Sequence, residues 1–158
     1  MGLIEDFHAD HRQVVDALFE LRQAIAAREV RRVRTILSQA DRLVGPHFKF
    51  EECYLYPSLE RFLGEGYVKK LLNEHDGIFR SVWKLAKLAE KETWSDADVK
   101  SAEANLDLIY EHPIGCDGLS LWMERLGAEE RDELWKQMHA TRRKGTGLFD
   151  YYYERQNA

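Results

Sequence analysis

Residues 45–57 of this chain read GPHFKFEECYLYP, a stretch that sets His47 and Glu51 four residues apart in an apolar segment. At about 100° per residue, positions four apart share one helix face about one turn from each other. Apolar residues at helical spacing before and after the pair indicate that this face is buried. A buried carboxylate is unfavourable unless it is paired or bound to a cation, so a metal ion is the simplest explanation of the pair.

The composition is that of a single globular domain. A chain of 158 residues is long enough to bury a substantial core. The net charge of -5 and the lack of a basic, aromatic-rich stripe argue against nucleic-acid binding. No signal-peptide pattern and no run of about 18 apolar residues is present, so we expect no membrane segment. Two cysteines are too few for a disulfide framework, and we predict a cytoplasmic protein.

Apolar residues recurring every three or four positions predict an all-α chain. The predicted helices cover residues 3–28, 29–62, 67–91, 97–126 and, shorter, 129–143. Pro46 predicts a kink in the second helix just before His47. Four long helices with short loops imply an antiparallel up-down-up-down four-helix bundle with an additional short C-terminal helix. We expect the bundle in residues 1–127, and the C-terminal helix and aromatic tail of residues 128–158 packed on the same domain.

Each long helix contributes one histidine from its apolar face. A single buried histidine is more often a core residue with satisfied hydrogen bonds, but four of them in comparable places all need polar partners. Imidazole and carboxylate together favour a transition-metal site. The candidate metal ligands are His11, His47, Glu51, His75, His112 and Asp117.

This pattern resembles the hemerythrin family, also called the HHE cation-binding domain. The resemblance rests on His47-x-x-x-Glu51, on His112-x-x-x-x-Asp117 and on the single histidines of the first and third helices, and it covers about residues 3–126. It implies two carboxylate-bridged irons inside the bundle. By position, His11 and His47 would bind one iron and His75 and His112 the other, with Glu51 and Asp117 as bridges. The ligand types also suit zinc or manganese, so the resemblance alone selects iron.

Position 79 departs from the oxygen-carrying members, because it holds Phe79 where they have a further histidine four residues after His75. The remaining set of four histidines and two carboxylates resembles that of di-iron proteins linked to repair of iron–sulfur centres under nitrosative stress. Those proteins usually carry an extra N-terminal domain with a Cys motif, which this sequence lacks. We therefore hypothesise a centre that reacts with O2, peroxide or NO more readily than it stores O2 reversibly.

The segment after His112 leaves two ligands open. In a regular helix Cys116 lies only about 40° from His112, whereas Asp117 lies about 140° away. Pro113 removes an amide donor, and a π-type turn would align residues five apart. We predict such a turn over residues 112–117, which directs Asp117 inward. In a regular helix Cys116 would face the metal instead.

Several further residues have two possible roles. His8 is either an additional ligand or a partly exposed histidine near the bundle end. Tyr54 either hydrogen-bonds near the site or lies at the core edge. Phe79 either keeps water from the pocket or is ordinary core. The run Tyr151–Tyr153 covers the bundle end or forms a homodimer contact.

Three functions follow from these residues. The first is a binding module that senses, buffers or carries O2 or NO. The second is a redox enzyme acting on peroxide or NO, or an iron donor for iron–sulfur centre repair. The third is a regulatory module that signals to a partner protein through the aromatic tail.

Overall fold

Eight α-helices and one π-helical turn make up the chain, which a computed structural model describes over residues 1–158. The all-α fold predicted from the sequence is confirmed, and there are no strands. The elements are α1 (Leu3–Ala26), α2 (Val30–Phe50), the π turn (Glu51–Leu55), α3 (Tyr56–Leu63), α4 (Glu65–Leu88), α5 (Asp96–Asp117), α6 (Ser120–Met123), α7 (Ala128–Lys144) and α8 (Leu148–Gln156).

The long helices close into a ring in which α1 contacts α2 and α5, and α4 contacts α5 and the α2–α3 segment. Their interior faces form two separate apolar clusters, one toward each end of the bundle. Along α4, Leu71 belongs to one cluster and Ile78 to the other, and His75 lies between them. The same succession recurs in α1, where His11 separates Phe7 from Leu18. The histidines thus form a polar layer between two hydrocarbon ends.

The second predicted helix is divided by the π turn. α2 continues through Pro46, and the irregular segment comes after it, over Glu51–Leu55. Pro57 has no amide hydrogen, so the helical bond expected from its position cannot form. Instead the Tyr56 amide donates to the Glu51 carbonyl, five residues back. The π turn predicted at residues 112–117 was wrong, because α5 stays α-helical to Asp117.

The C-terminal helices lie against the bundle. α7 contacts α1, α2 and the π turn, and α8 contacts α2 and α4. The connection between α7 and α8 crosses α2 at Gly45, where an added Cβ would lie 2.3 Å from the Thr146 carbonyl oxygen. Within α8, Tyr151 is buried and Tyr153 is exposed. None of the helices combines the length and hydrophobicity needed to cross a membrane.

Candidate metal centre

Four imidazoles meet in two pairs at the centre of the bundle. The Nε2 atoms of His11 and His47 are 3.1 Å apart, and so are those of His75 and His112. The side chains of all four are at most 8 % exposed. Each helix therefore delivers its predicted histidine to the same interior layer, and each pair joins two neighbouring helices.

Glu51 links the two pairs. Its Oε1 lies 3.1 Å from His47 Nε2 and its Oε2 lies 3.1 Å from His75 Nε2, and the residue is fully buried. The π turn places Tyr56, five residues on, against the same carboxylate. The Tyr56 hydroxyl donates to Glu51 Oε2 over 3.3 Å and lies 3.0 Å from His75 Nε2. Sequence reasoning missed Tyr56, since a regular helix would not align positions 51 and 56.

The outer nitrogen of every imidazole meets a carboxylate at 2.9–3.0 Å. Such a bond holds the Nδ1 proton and leaves Nε2 available toward the interior, the arrangement found around metal-bound histidines. The pairs, histidine first, are His11–Asp117, His47–Asp10, His75–Glu52 and His112–Glu74.

Asp117 is not where the sequence placed it. Its side chain is 38 % exposed, and its Oδ1 lies 2.6 Å from His8 Nδ1 and 3.0 Å from His11 Nδ1. Because α5 remains regular, the residue five positions after His112 is turned away from the interior. Asp117 thus supports His11 from behind and does not bridge the two pairs, and His8 reaches only this outer carboxylate.

Cys116 occupies the inward position instead. It is 1 % exposed, and its Sγ lies 2.6 Å from Glu51 Oε1. Two groups of donor atoms, each within a span of 4.8 Å, are candidate metal-binding groups, and they share Glu51. The first group is His11, His47, Glu51 and Cys116, and the second is Glu51, His75 and His112.

In the metal-free protein, the pKa values of neighbouring groups in the site are shifted in different directions. Burial lowers the pKa of His11 to about 4, assisted by the charge on His47. Burial also disfavours a charge on His47, but the Glu51 and Asp10 carboxylates outweigh it and raise the His47 pKa to about 10. The pKa of Glu51 is held well below its usual range because the His47 and His75 charges outweigh its burial.

The donor set fits a cation. In each pair both outer nitrogens face a carboxylate, so two neutral imidazoles would point lone pairs at each other across 3.1 Å. A proton on one Nε2, donated to the neighbouring Glu51 carboxylate, or a metal ion relieves this repulsion. Two nitrogen atoms 3.1 Å apart are close enough to bind one metal ion together. The residues present therefore fit a metal in each half.

Aromatic rings surround the second pair. Phe48 stacks on His75 with ring centroids 3.6 Å apart and planes 4° apart. Phe79 is buried and packs between Phe48 and Tyr152 of α8, 4.4 Å from the latter ring. Tyr54 is 37 % exposed and its side chain has no hydrogen bond to the histidine layer. Phe79 thus fills core space between α4 and α8.

A cavity of about 60 Å³ lies beside the cluster. It is lined mainly by hydrophobic side chains, including Val14, Leu21 and Ile78, and it reaches His11, His47 and His112. It therefore borders both histidine pairs. An apolar cavity of this kind holds small nonpolar molecules better than water.

A buried layer of imidazoles around one carboxylate, inside an all-α bundle, defines a cation-binding helical protein. The family model described as the hemerythrin HHE cation binding domain matches residues 2–113, and the chain belongs to this family. Comparisons with curated proteins and with solved structures found no match. Cys116, Asp117, α7 and α8 lie beyond the matched residues.

Proposed function

We propose that this protein holds two irons bridged by Glu51 and binds O2 or NO beside them. His11, His47 and Cys116 hold one iron, and His75 and His112 hold the other. The imidazole and carboxylate donors also accept zinc or manganese, and membership of the hemerythrin family favours iron. Asp117 acts in this proposal by orienting His11.

The apolar cavity is the observation that carries the choice of ligand. A diatomic molecule such as O2 or NO gains from an apolar cavity of about 60 Å³, whereas peroxide needs hydrogen-bond partners for its hydroxyl groups. The only polar groups that the cavity offers near the cluster are the imidazoles already described and Asp41 on α2. Binding of O2 or NO is therefore favoured over peroxide chemistry.

When bound, the two irons supply the electrons and coordination positions that O2 or NO requires. The protein's own residues exclude water, hold the Nδ1 protons and line the cavity. Phe48, stacked on His75, keeps water from one face of that imidazole. The outer carboxylates hold each Nδ1 proton, so that Nε2 stays an acceptor. Val14 and Ile78 line the space beside the imidazoles.

Filling the cavity tests the proposal. Val14→Phe places a ring in the cavity and replaces no donor residue, so it should keep two irons per chain. The rate of NO binding to the anaerobically reduced protein should fall at least tenfold in stopped-flow measurements. The matched control is Val15→Phe, because Val15 is exposed and does not line this cavity. Equal NO binding rates in the two variants would contradict the proposal that the ligand binds in this cavity.

Turnover separates this function from an enzymatic one. Reduced wild-type protein is expected to bind NO or O2 stoichiometrically. Repeated consumption of peroxide with an added reductant would instead support a redox enzyme, and the proposal of a binding module would then be abandoned.

A further inference from the structure

We propose that α7 and α8 form a positioning arm that controls the metal centre through two arginine–carboxylate–histidine relays, in which the carboxylate and histidine side chains are buried. The arm is residues 128–158, and the arginines of the two relays are Arg142 in α7 and Arg155 in α8. Each relay ends on one histidine of a different metal-binding half. The inference rests on the proposed metal centre, but it assigns a role to a segment outside the family match.

The first relay starts in α7. Arg142 Nη2 donates to Asp10 Oδ1 over 2.8 Å, and Asp10 Oδ2 lies 2.9 Å from His47 Nδ1. Asp10 and His47 have side-chain exposures of only 8 % and 3 %. The Asp10 carboxylate is thus shared between one arginine of the arm and one histidine of the first pair.

The second relay starts in α8 and has the same order. Arg155 Nε lies 3.2 Å from Glu52 Oε1, and Glu52 Oε2 lies 3.0 Å from His75 Nδ1. The Glu52 side chain is 7 % exposed and that of His75 is fully buried. Arg155 also contacts Asp76 at 2.9 Å, which holds its guanidinium against the middle of α4.

The other two histidines lack such support. The carboxylates behind His11 and His112 belong to Asp117 and Glu74, and both side chains are 38 % exposed. Their outer neighbours are His8 and Lys70, and the Lys70 contact is 3.8 Å long. Each half of the centre therefore has one histidine held by a buried, arginine-bound carboxylate and one held by a partly exposed carboxylate.

Because of this asymmetry, the arm can affect one histidine in each half of the centre through its arginine-bound carboxylate. A buried carboxylate that loses its arginine is left with an uncompensated charge, so it must rotate, take up a proton or admit water. Any of these changes disturbs the hydrogen bond that orients the histidine. Loss of such outer partners typically costs 10–100-fold in metal affinity. Docking of the arm and metal binding should therefore favour each other, as linked equilibria must.

The test uses the full chain and Co²⁺ or Zn²⁺ as probe, so that it does not depend on O2 or NO binding. Arg142→Gln and Arg155→Gln should each weaken one of the two metal sites in chelator competition, with an upper limit at the roughly 10–100-fold loss expected when the histidine's own carboxylate partner is removed. Arg142→Lys, which retains a cationic donor, should recover most of the loss. Arg143→Gln is the matched control, because Arg143 is its exposed neighbour in α7.

A double-mutant cycle distinguishes a relay from general loosening of the fold. If Arg142 acts through Asp10, Arg142→Gln should have less than a threefold further effect in an Asp10→Asn background. Full additivity of the two losses would overturn the relay. The Arg155 and Glu52 pair provides the same test independently, which keeps the inference decidable if an Arg142 variant fails to fold.

The outcomes also separate this inference from the proposed function. If wild-type protein binds two metals and neither arginine substitution changes affinity beyond the Arg143→Gln control, the arm has no such role while the metal centre stands. If wild-type protein binds no metal, the proposed function itself fails.

Discussion

Cys116 is related to His112 as Glu51 is related to His47. Each residue follows its histidine by four positions on an inward helix face, and Sγ and Oε1 are 2.6 Å apart. An acidic residue comes next in both segments, Glu52 and Asp117, and each of them binds the outer nitrogen of a histidine on another helix. The segments 47–52 and 112–117 therefore repeat one arrangement, with a thiol at position 116 where the other segment has the Glu51 carboxylate.

This relationship predicts a thiolate ligand. In Co²⁺-substituted wild-type protein, we expect a sulfur-to-metal charge-transfer band in the near ultraviolet, because a cysteine ligand binds as the thiolate. Cys116→Ser should abolish the band. Cys53→Ser is the matched control, since Cys53 lies outside both donor groups. Retention of the band in Cys116→Ser would show that the sulfur is not a ligand.

Glu51 belongs to both donor groups, so its loss should affect both metals. Glu51→Gln removes the shared charge, and we expect fewer than one metal per chain after gel filtration, against two for the wild type. His112→Ala removes a donor from one group only and should retain about one metal. Elemental analysis measures both values. Two metals in Glu51→Gln would contradict the bridging role, and Glu60→Gln, an exposed change on α3, provides the control.

The metal-free protein should lose stability as the solution becomes basic. The Glu51 and Asp10 carboxylates overcome the effect of burial and raise the His47 pKa to about 10, whereas an unfolded histidine titrates near about 6.5. A raised pKa stabilises the folded state below the unfolded value, and that contribution is lost as the pH rises from about 6.5 through 10.

Urea unfolding of chelator-treated protein between pH 6.5 and pH 10 measures this loss. The free energy of unfolding should decline more steeply in the wild type than in His47→Gln, which lacks the titrating group. Parallel pH profiles for the two proteins would show that His47 is not protonated in the folded, metal-free state.

The fold and the histidine layer could be predicted because they depend on helical periodicity. His11, His47, His75 and His112 lie on apolar stripes, and such stripes must face the core whatever their partners are. Position 117 was harder, because a single π turn decides whether Asp117 or Cys116 faces inward. The chain does contain a π turn, but it lies at Glu51–Leu55.

The supports of the site could not be predicted from local pattern. Asp10 precedes His11 in the sequence but binds His47, and its other partner, Arg142, is 132 residues away. Only the packing of α7 on the bundle brings these groups together. Tyr56 was missed for a related reason, because its inward direction depends on the π turn. An acidic residue directly before a core histidine was the available signal for Asp10 and Glu74, but not for Glu52 and Asp117.

The α7–α8 connection crosses α2 closely at Gly45, so alanine there and alanine at the open position Gly66 should have opposite effects on stability. A Cβ on Gly45 would meet the backbone of residues 146–148 at 2.3–2.4 Å, and backbone cannot move aside as a flexible side chain can. We expect Gly45→Ala to destabilise the protein by about 1–3 kcal/mol, the usual cost of overpacking. The substitution should also loosen the arm and weaken metal binding.

Gly66→Ala is the matched control for Gly45→Ala. Gly66 lies in the first turn of α4 and an added Cβ would have open space around it, so alanine should stabilise by about 0.4–1 kcal/mol. Urea denaturation of both variants measures the difference. A Gly45→Ala protein as stable as Gly66→Ala would mean that the α7–α8 connection does not rest on α2 in solution, and the coupling between the arm and the metal centre would lose its structural basis.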